Sequence, residues 1–204
     1  NKDKNINTLA PYKLVKTMRA GVLVLGPLLA RYKKAKISLP GGCAIGSRPV
    51  DLHLFALKKL GAKIKIKNGY IIAEAKNGLK GSQIIFPSIS VGATENAILA
   101  SFKAEGKTTL INCAIEPEIM DLIKFLNKLG GKIKIVGRKI IVNGSKQINK
   151  NIKHEIIFDR IEAGTYMIAA ALIGKKIILN NVSSKIIKTE LGVLKKMGVR
   201  IKIS

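Results

Sequence analysis

Leu57-Lys58-Lys59-Leu60-Gly61-Ala62-Lys63-Ile64-Lys65, Leu126-Asn127-Lys128-Leu129-Gly130-Gly131-Lys132-Ile133-Lys134 and Leu194-Lys195-Lys196-Met197-Gly198-Val199-Arg200-Ile201-Lys202 are one pattern written three times. In each copy a helical apolar spacing ends at a glycine, the residue that most readily takes the left-handed conformation closing a helix. A Lys/Ile alternation of period two then marks a half-buried strand. Gly61 and Gly130 are 69 residues apart and Gly130 and Gly198 are 68 apart, too long for a solenoid unit and suited to a repeated α/β subdomain.

Working outward, each copy carries an upstream helix and strand: 12–30 then 35–39, 94–104 then 108–112, and 165–173 then 175–179. The first two copies add a return strand, 70–75 behind the Asn68-Gly69 turn and 139–142 behind Gly137-Arg138, a hairpin signal. The segment 148–158 has little periodicity and suits a crossing between domains. The expected organisation is α/β, an inside-out α/β barrel of βαβαββ repeats. Residues 1–158 form a domain of two repeats, the first incomplete at its N-terminus, and 159–204 form one partial repeat of a second domain.

At 204 residues and 47% hydrophobic content the chain can bury a core without staples. Its formal charge of +25 would ordinarily point to nucleic acid or an anionic surface. The lysines, however, are spread from Lys2 to Lys202 and alternate with Ile, as the solvated side of strands requires. With no Trp, four Tyr and five Phe, there is little to stack single-stranded bases. Two cysteines without zinc-ligand spacing suit a reducing compartment, so a cytoplasmic location is expected. The longest apolar run, 20–30, is too short to span a bilayer. The N-terminus reads Asn1-Lys2-Asp3-Lys4-Asn5, with no initiator Met and no apolar core of a signal peptide behind it, as expected for a fragment.

Aligning the copies on their glycines exposes one long loop. Leu39 lies 22 residues before Gly61, whereas Leu110 lies 20 before Gly130 and Leu179 lies 19 before Gly198. The extra residues fall in Pro40-Gly41-Gly42-Cys43-Ala44-Ile45-Gly46, a glycine-rich loop with Cys43 at its tip. Arg48, five residues on, favours the thiolate that attacks carbon, and the same thiol can donate its proton. The plainer alternative is a cysteine that merely occupies a turn. Cys113, at a strand end, reads as a small core residue.

A second constellation is Ser90-Val91-Gly92-Ala93-Thr94-Glu95 at a helix start, where unpaired N–H groups and the helix dipole attract anions. Ordinary helix capping is the plainer explanation of these residues taken alone. The third-copy counterpart, Asp159-Arg160-Ile161-Glu162, surrounds its helix start with carboxylates that would compete with a phosphate. Arg19 and Arg48 carry guanidinium forks suited to phosphate or carboxylate. His53 and His154 lack the spacing of a metal site or nucleophile dyad and read as structural. Glu116-Pro117-Glu118 reads as helix initiation.

The segments Tyr12–Ala20, Gly41–His53, Ser90–Thr94, Glu116–Glu118 and Asp159–Glu162 together resemble UDP-N-acetylglucosamine enolpyruvyl transferase, the family that opens bacterial peptidoglycan synthesis. The resemblance runs along essentially the whole chain. It implies six subdomains in two inside-out domains with the active site between them, of which this chain supplies about half. It implies that Cys43 forms a phospholactoyl adduct with phosphoenolpyruvate and protonates its methylene carbon, and that fosfomycin alkylates this thiol. It implies that Arg19 and Arg48 hold the anionic substrates, that Arg48, Pro49, Val50, Asp51 and Leu52 line the nucleotide, and that Ser90, Val91 and Gly92 meet its phosphates. Ser88 departs from family members that place a Lys there. No cofactor, metal, nucleic acid or membrane span is implied. The family's N-terminal Lys-Asn pair and later carboxylate and arginines have no counterpart, so the chain alone is expected to lack part of the site. The shikimate-pathway relative shares the architecture but not the stretch from Gly41 to Leu52.

Two readings compete with this one. Subdomains of the same kind occur in RNA-binding and RNA 3′-end-processing proteins, which the high charge favours. A truncated remnant with a folding role only is the other.

Overall fold

A computed structural model describes residues 6–15, 18–39, 50–145, 147–149, 151–174 and 176–203, with Arg19 described as backbone only. The chain divides into two compact units, Asn1–Lys153 and His154–Ser204. In the first unit the three-fold pattern becomes two repeats of identical topology.

The first repeat runs β1 (Leu9–Ala10), α1 (Tyr12–Val15), a 3-10 helix (Arg19–Val24), α2 (Leu25–Tyr32), β2 (Lys34–Ser38), α3 (Asp51–Lys59), β3 (Lys63–Lys67) and β4 (Tyr70–Glu74). The second runs β5 (Gln83–Ile85), α4 (Val91–Ser101), β6 (Lys107–Ile111), α5 (Pro117–Lys128), β7 (Lys132–Val136) and β8 (Lys139–Asn143). Each sheet joins a parallel pair to an antiparallel return strand at its centre, in the orders β1-β2-β4-β3 and β5-β6-β8-β7. Gly61 and Gly130 close their helices with φ of 93° and 102°, conformations that glycine adopts without a Cβ penalty.

Alternation within the strands sorts side chains to two faces. Ile37, Ile71, Ala73, Ile84, Leu110, Ile140 and Val142 point into the core, while Lys34, Lys36, Lys63, Lys65, Lys67, Lys132 and Lys134 are exposed. The inward faces cover helices shared by both repeats: α2 and α3 each pack on α4, and one continuous core runs from Val15 to Val142. Helices inside and lysine-bearing sheets outside is the expected inside-out arrangement.

Two expectations are corrected. The helix read over 12–30 is broken into three pieces, and α2 begins only at Leu25, which places Pro27 in its first turn where the missing N–H costs nothing. In the second unit α6 (Arg160–Ile173) and α7 (Lys188–Lys196) form, and Gly198 takes φ 88°, but no strand occurs among the described residues there. A strand exists by pairing, and among the described residues of that unit there is no counterpart of the central return strands β4 and β8. No described helix is long and apolar enough to cross a membrane.

Candidate functional site

Two helix starts meet at one place in the first unit. Helix α4 is capped by Ser90, whose Oγ accepts from the Ala93 N–H at 3.3 Å while its carbonyl accepts from Thr94 N and from Thr94 Oγ1 at 2.7 Å. That cap leaves the Val91 and Gly92 N–H groups without a hydrogen bond among the described residues, the pattern of an anion-binding helix start. Helix α3 begins at Asp51 after Val50, which supplies no side-chain cap. The contact between the two starts is His53, in the first turn of α3. A Cβ on Gly92 would lie 3.1 Å from His53 Cε1 and 3.3 Å from Nε2, so the ring lies against the backbone of α4's first turn and would have to give by a few tenths of an ångström to admit a side chain there.

The loop that presents Ser90 is held from below. Asn112, with φ 61°, donates from Nδ2 to the Phe86 carbonyl at 2.9 Å, and the Phe55 and Phe86 rings tie α3 to this loop at 6.5 Å. Thr94 Oγ1 accepts from the Ala114 N–H at 3.1 Å, and Arg138 Nη1 donates to the Cys113 carbonyl at 3.0 Å. Cys113 itself is fully buried, and burial pushes its thiol up to about 11 against the pull of the Ile140 backbone and the Thr94 hydroxyl. It is the core residue its sequence context suggests.

Of the residues singled out in the sequence, Val50, Asp51 and Leu52 thus stand at one helix start and Ser90, Val91 and Gly92 at the other, joined through His53. Val50, Leu52, Ser90, Val91 and Gly92 are half-buried, and Asp51 and Ser88 are exposed. Cys43, Arg48, Pro49 and the Arg19 side chain lie outside the described residues. Asp159 Oδ1 accepts from Ile161 N at 2.8 Å and Glu162 N at 3.1 Å, so the third-copy helix start is closed by its own carboxylate. Glu95 carries a raised pKa, first from burial and then from the Glu118 carboxylate. No group of three or more potential metal ligands occurs among the described residues.

His53 exceeds the role its sequence suggested. Burial lowers its pKa to about 4 against the opposing pull of Asp51, so the ring is neutral at pH 7. An unfolded histidine takes up its proton near pH 6.5 and the folded one only near 4, so stability is present above pH 6.5 and is lost as pH falls towards 4. A shift of this size corresponds to a loss of order 3 kcal/mol at most. Urea melts at pH 7 and 4.5 are expected to show the loss in the wild type, and a smaller one in His53→Asn.

Residues 2–204 match the EPSP synthase (3-phosphoshikimate 1-carboxyvinyltransferase) family. UDP-N-acetylglucosamine 1-carboxyvinyltransferase of Pelagibacter ubique is 56% identical over 199 residues, covering 97% of this chain and 48% of that protein. Its namesake from Aliarcobacter butzleri is 52% identical over 197 residues, covering 96% and 47%. The chain therefore spans about half the length of the curated relatives it matches. Among solved structures, the enolpyruvyl transferase NikO from Streptomyces tendae superposes with a TM-score of 0.75 at 20% identity, over 95% of this chain and 47% of that one. EPSP synthase from Acinetobacter baumannii superposes with a TM-score of 0.64 at 23% identity, over 88% and 41%.

Proposed function

The chain belongs to the EPSP synthase (3-phosphoshikimate 1-carboxyvinyltransferase) family, and from that premise we propose that it carries the nucleotide-binding and cysteine-bearing part of an enolpyruvyl transfer site. The acceptor is the 3′-hydroxyl of UDP-N-acetylglucosamine, the donor is phosphoenolpyruvate, and inorganic phosphate is released, the first committed step of peptidoglycan synthesis in the bacterial cytoplasm. Relatives bearing the name of that reaction support the sugar nucleotide over a shikimate acceptor. The comparisons lend the RNA reading no support.

The observation that carries the proposal is the contact of His53 with Gly92, which brings together the two segments that would hold one nucleotide. The N–H groups of Val91 and Gly92, under the positive end of α4, receive phosphate oxygens. Arg48 to Leu52, leading into α3, line the nucleoside, and Ser88 offers a hydroxyl where a lysine would add charge. His53, neutral at pH 7, adds no charge of its own.

The chemistry follows from the bonds exchanged. The 3′-hydroxyl gives up its proton to a base beyond this chain as its oxygen bonds to C2 of phosphoenolpyruvate and C3 takes a proton. The C2–O bond to phosphate then breaks as a proton leaves C3, which restores the double bond. Cys43 supplies the proton to C3, and its thiolate can itself add to C2 to give the phospholactoyl adduct. Arg19 and Arg48 balance the carboxylate and phosphate charges. Residues beyond this chain complete the site.

Calorimetric titration with UDP-N-acetylglucosamine tests the nucleotide half of the proposal. Saturable one-to-one binding, weakened by salt and not competed by RNA, is expected; RNA binding that falls steeply with salt, with no response to the sugar nucleotide, would support the RNA reading instead.

A further inference from the structure

Asn96 is wholly buried in α4, one turn beyond Gly92, and makes three hydrogen bonds. Its Oδ1 accepts from the Gly26 N–H at 2.7 Å, its Nδ2 donates to the Val22 carbonyl at 3.0 Å, and the same Nδ2 stands 3.1 Å from His53 Nδ1. The two backbone partners orient the amide, because an N–H only donates and a carbonyl only accepts. Nδ2 therefore offers its second hydrogen to Nδ1, and a ring nitrogen that accepts carries no proton. His53 is thereby held as the Nε2–H tautomer. A proton on Nδ1 would set two donors against each other, whether the ring were neutral or charged.

The same three bonds join separate parts of the fold. Gly26 lies in the first turn of α2, whose N-cap Val24 provides no side-chain acceptor, so Asn96 caps a first-repeat helix from a second-repeat helix. Through His53 it also reaches α3. One side chain thus binds the 3-10 helix, α2 and α3 to α4.

We propose that Asn96 is a positioning residue for the nucleotide site: by fixing the His53 tautomer and tethering α4 to Val22 and Gly26, it sets the spacing between the helix starts at Val50–Leu52 and Ser90–Gly92. The positioning role rests on the nucleotide reading above; the hold on the tautomer does not. A diphosphate spans a fixed distance, and two helix starts that drift apart cannot both serve it.

The test uses the full chain and two readouts. The chain has two histidines, so a long-range ¹H–¹⁵N imidazole spectrum, with His154→Gln for assignment, reports the His53 tautomer directly. In the wild type at pH 7 the proton is expected on Nε2 and absent from Nδ1. Asn96→Asp keeps an acceptor for Gly26 but turns the donor into an acceptor, so a proton should appear on Nδ1. The Kd for UDP-N-acetylglucosamine should rise about tenfold or more. Because a buried carboxylate can unfold the chain, His53→Asn and His53→Leu form a second, isosteric pair. Asparagine returns an acceptor to Asn96 and leucine does not, so the leucine variant should bind about fivefold more weakly than the asparagine variant at matched melting temperature.

An unchanged tautomer in a folded Asn96→Asp overturns the proposal. Equal binding by the two His53 variants, or wild-type binding with an unaltered Kd in Asn96→Asp, overturns the positioning role alone. No binding by the wild type contradicts the nucleotide reading and takes the positioning role with it, while the spectrum still decides the tautomer.

Discussion

Gly26→Ala is expected to remove about 3–5 kcal/mol of stability, at and above the upper end of ordinary core overpacking, enough to unfold a large share of a marginally stable chain. A Cβ at this position would lie 2.3 Å from Asn96 Oδ1, 2.7 Å from the Asn96 carbonyl oxygen and 3.3 Å from the Ala100 nitrogen. None of these atoms is a flexible tip: two belong to the α4 backbone, and the third is bonded to the Gly26 N–H itself. Relief would require α2 and α4 to separate, exposing Leu25 and Leu29 on one side and Ala97 and Ala100 on the other, all fully buried. Gly192 in α7 is the matched control, because a Cβ there meets nothing within 4 Å. Gly192→Ala should be neutral or stabilising by up to about 1 kcal/mol, the gain in helix propensity. Urea denaturation of both variants checks the pair. A loss under about 1 kcal/mol for Gly26→Ala would contradict the close crossing of α2 and α4.

The second large effect concerns the two thiols. Cys113 is fully buried with its thiol pushed up to about 11, so at pH 7.5 only roughly three molecules in ten thousand carry the reactive thiolate, and reaching it requires an opening of the fold. Cys43, in a glycine-rich loop five residues from Arg48, has the sequence context of an accessible and activated thiol. Native alkylation with iodoacetamide or fosfomycin should therefore modify one equivalent, at a rate more than about a hundredfold above that of Cys113. Cys43→Ala should abolish the fast reaction and Cys113→Ala should leave it unchanged. Two equivalents reacting at similar rates would contradict this assignment.

The strength of the sequence signal explains what was legible. Gly61, Gly130 and Gly198 close helices with φ of 93°, 102° and 88°, because a left-handed cap before a period-two strand leaves an unambiguous local pattern. The strands β1 and β5, two and three residues long, are too short to show a period. The broken helix at 12–30 was hidden because apolar spacing continues through Gly26-Pro27; only the tertiary demand that Asn96 reach the Gly26 N–H marks the new start. The strand expected over 175–179 failed for a different reason, since alternation describes a strand's faces and says nothing of its partners.

The helix start at Ser90 was equally readable, because a capping hydroxyl before Val-Gly-Ala-Thr is a local motif. His53 was not. Its partner Asn96 is 43 residues away in sequence, and no spacing rule connects a histidine in one repeat with an asparagine in another. Gly92 was singled out as a phosphate contact, whereas its lack of a side chain also serves the His53 ring. Such coupling between two local motifs is a property of the packed helices and is written at neither motif alone.

The role of Cys43 is decided by intact mass after incubation with phosphoenolpyruvate and UDP-N-acetylglucosamine. A phosphoenolpyruvate-derived mass increase is expected on the wild type, absent in Cys43→Ala and blocked by prior fosfomycin. A chain that binds the sugar nucleotide yet gains no mass, even with the remaining half of a family member supplied, would contradict the assignment of Cys43 to the reacting centre.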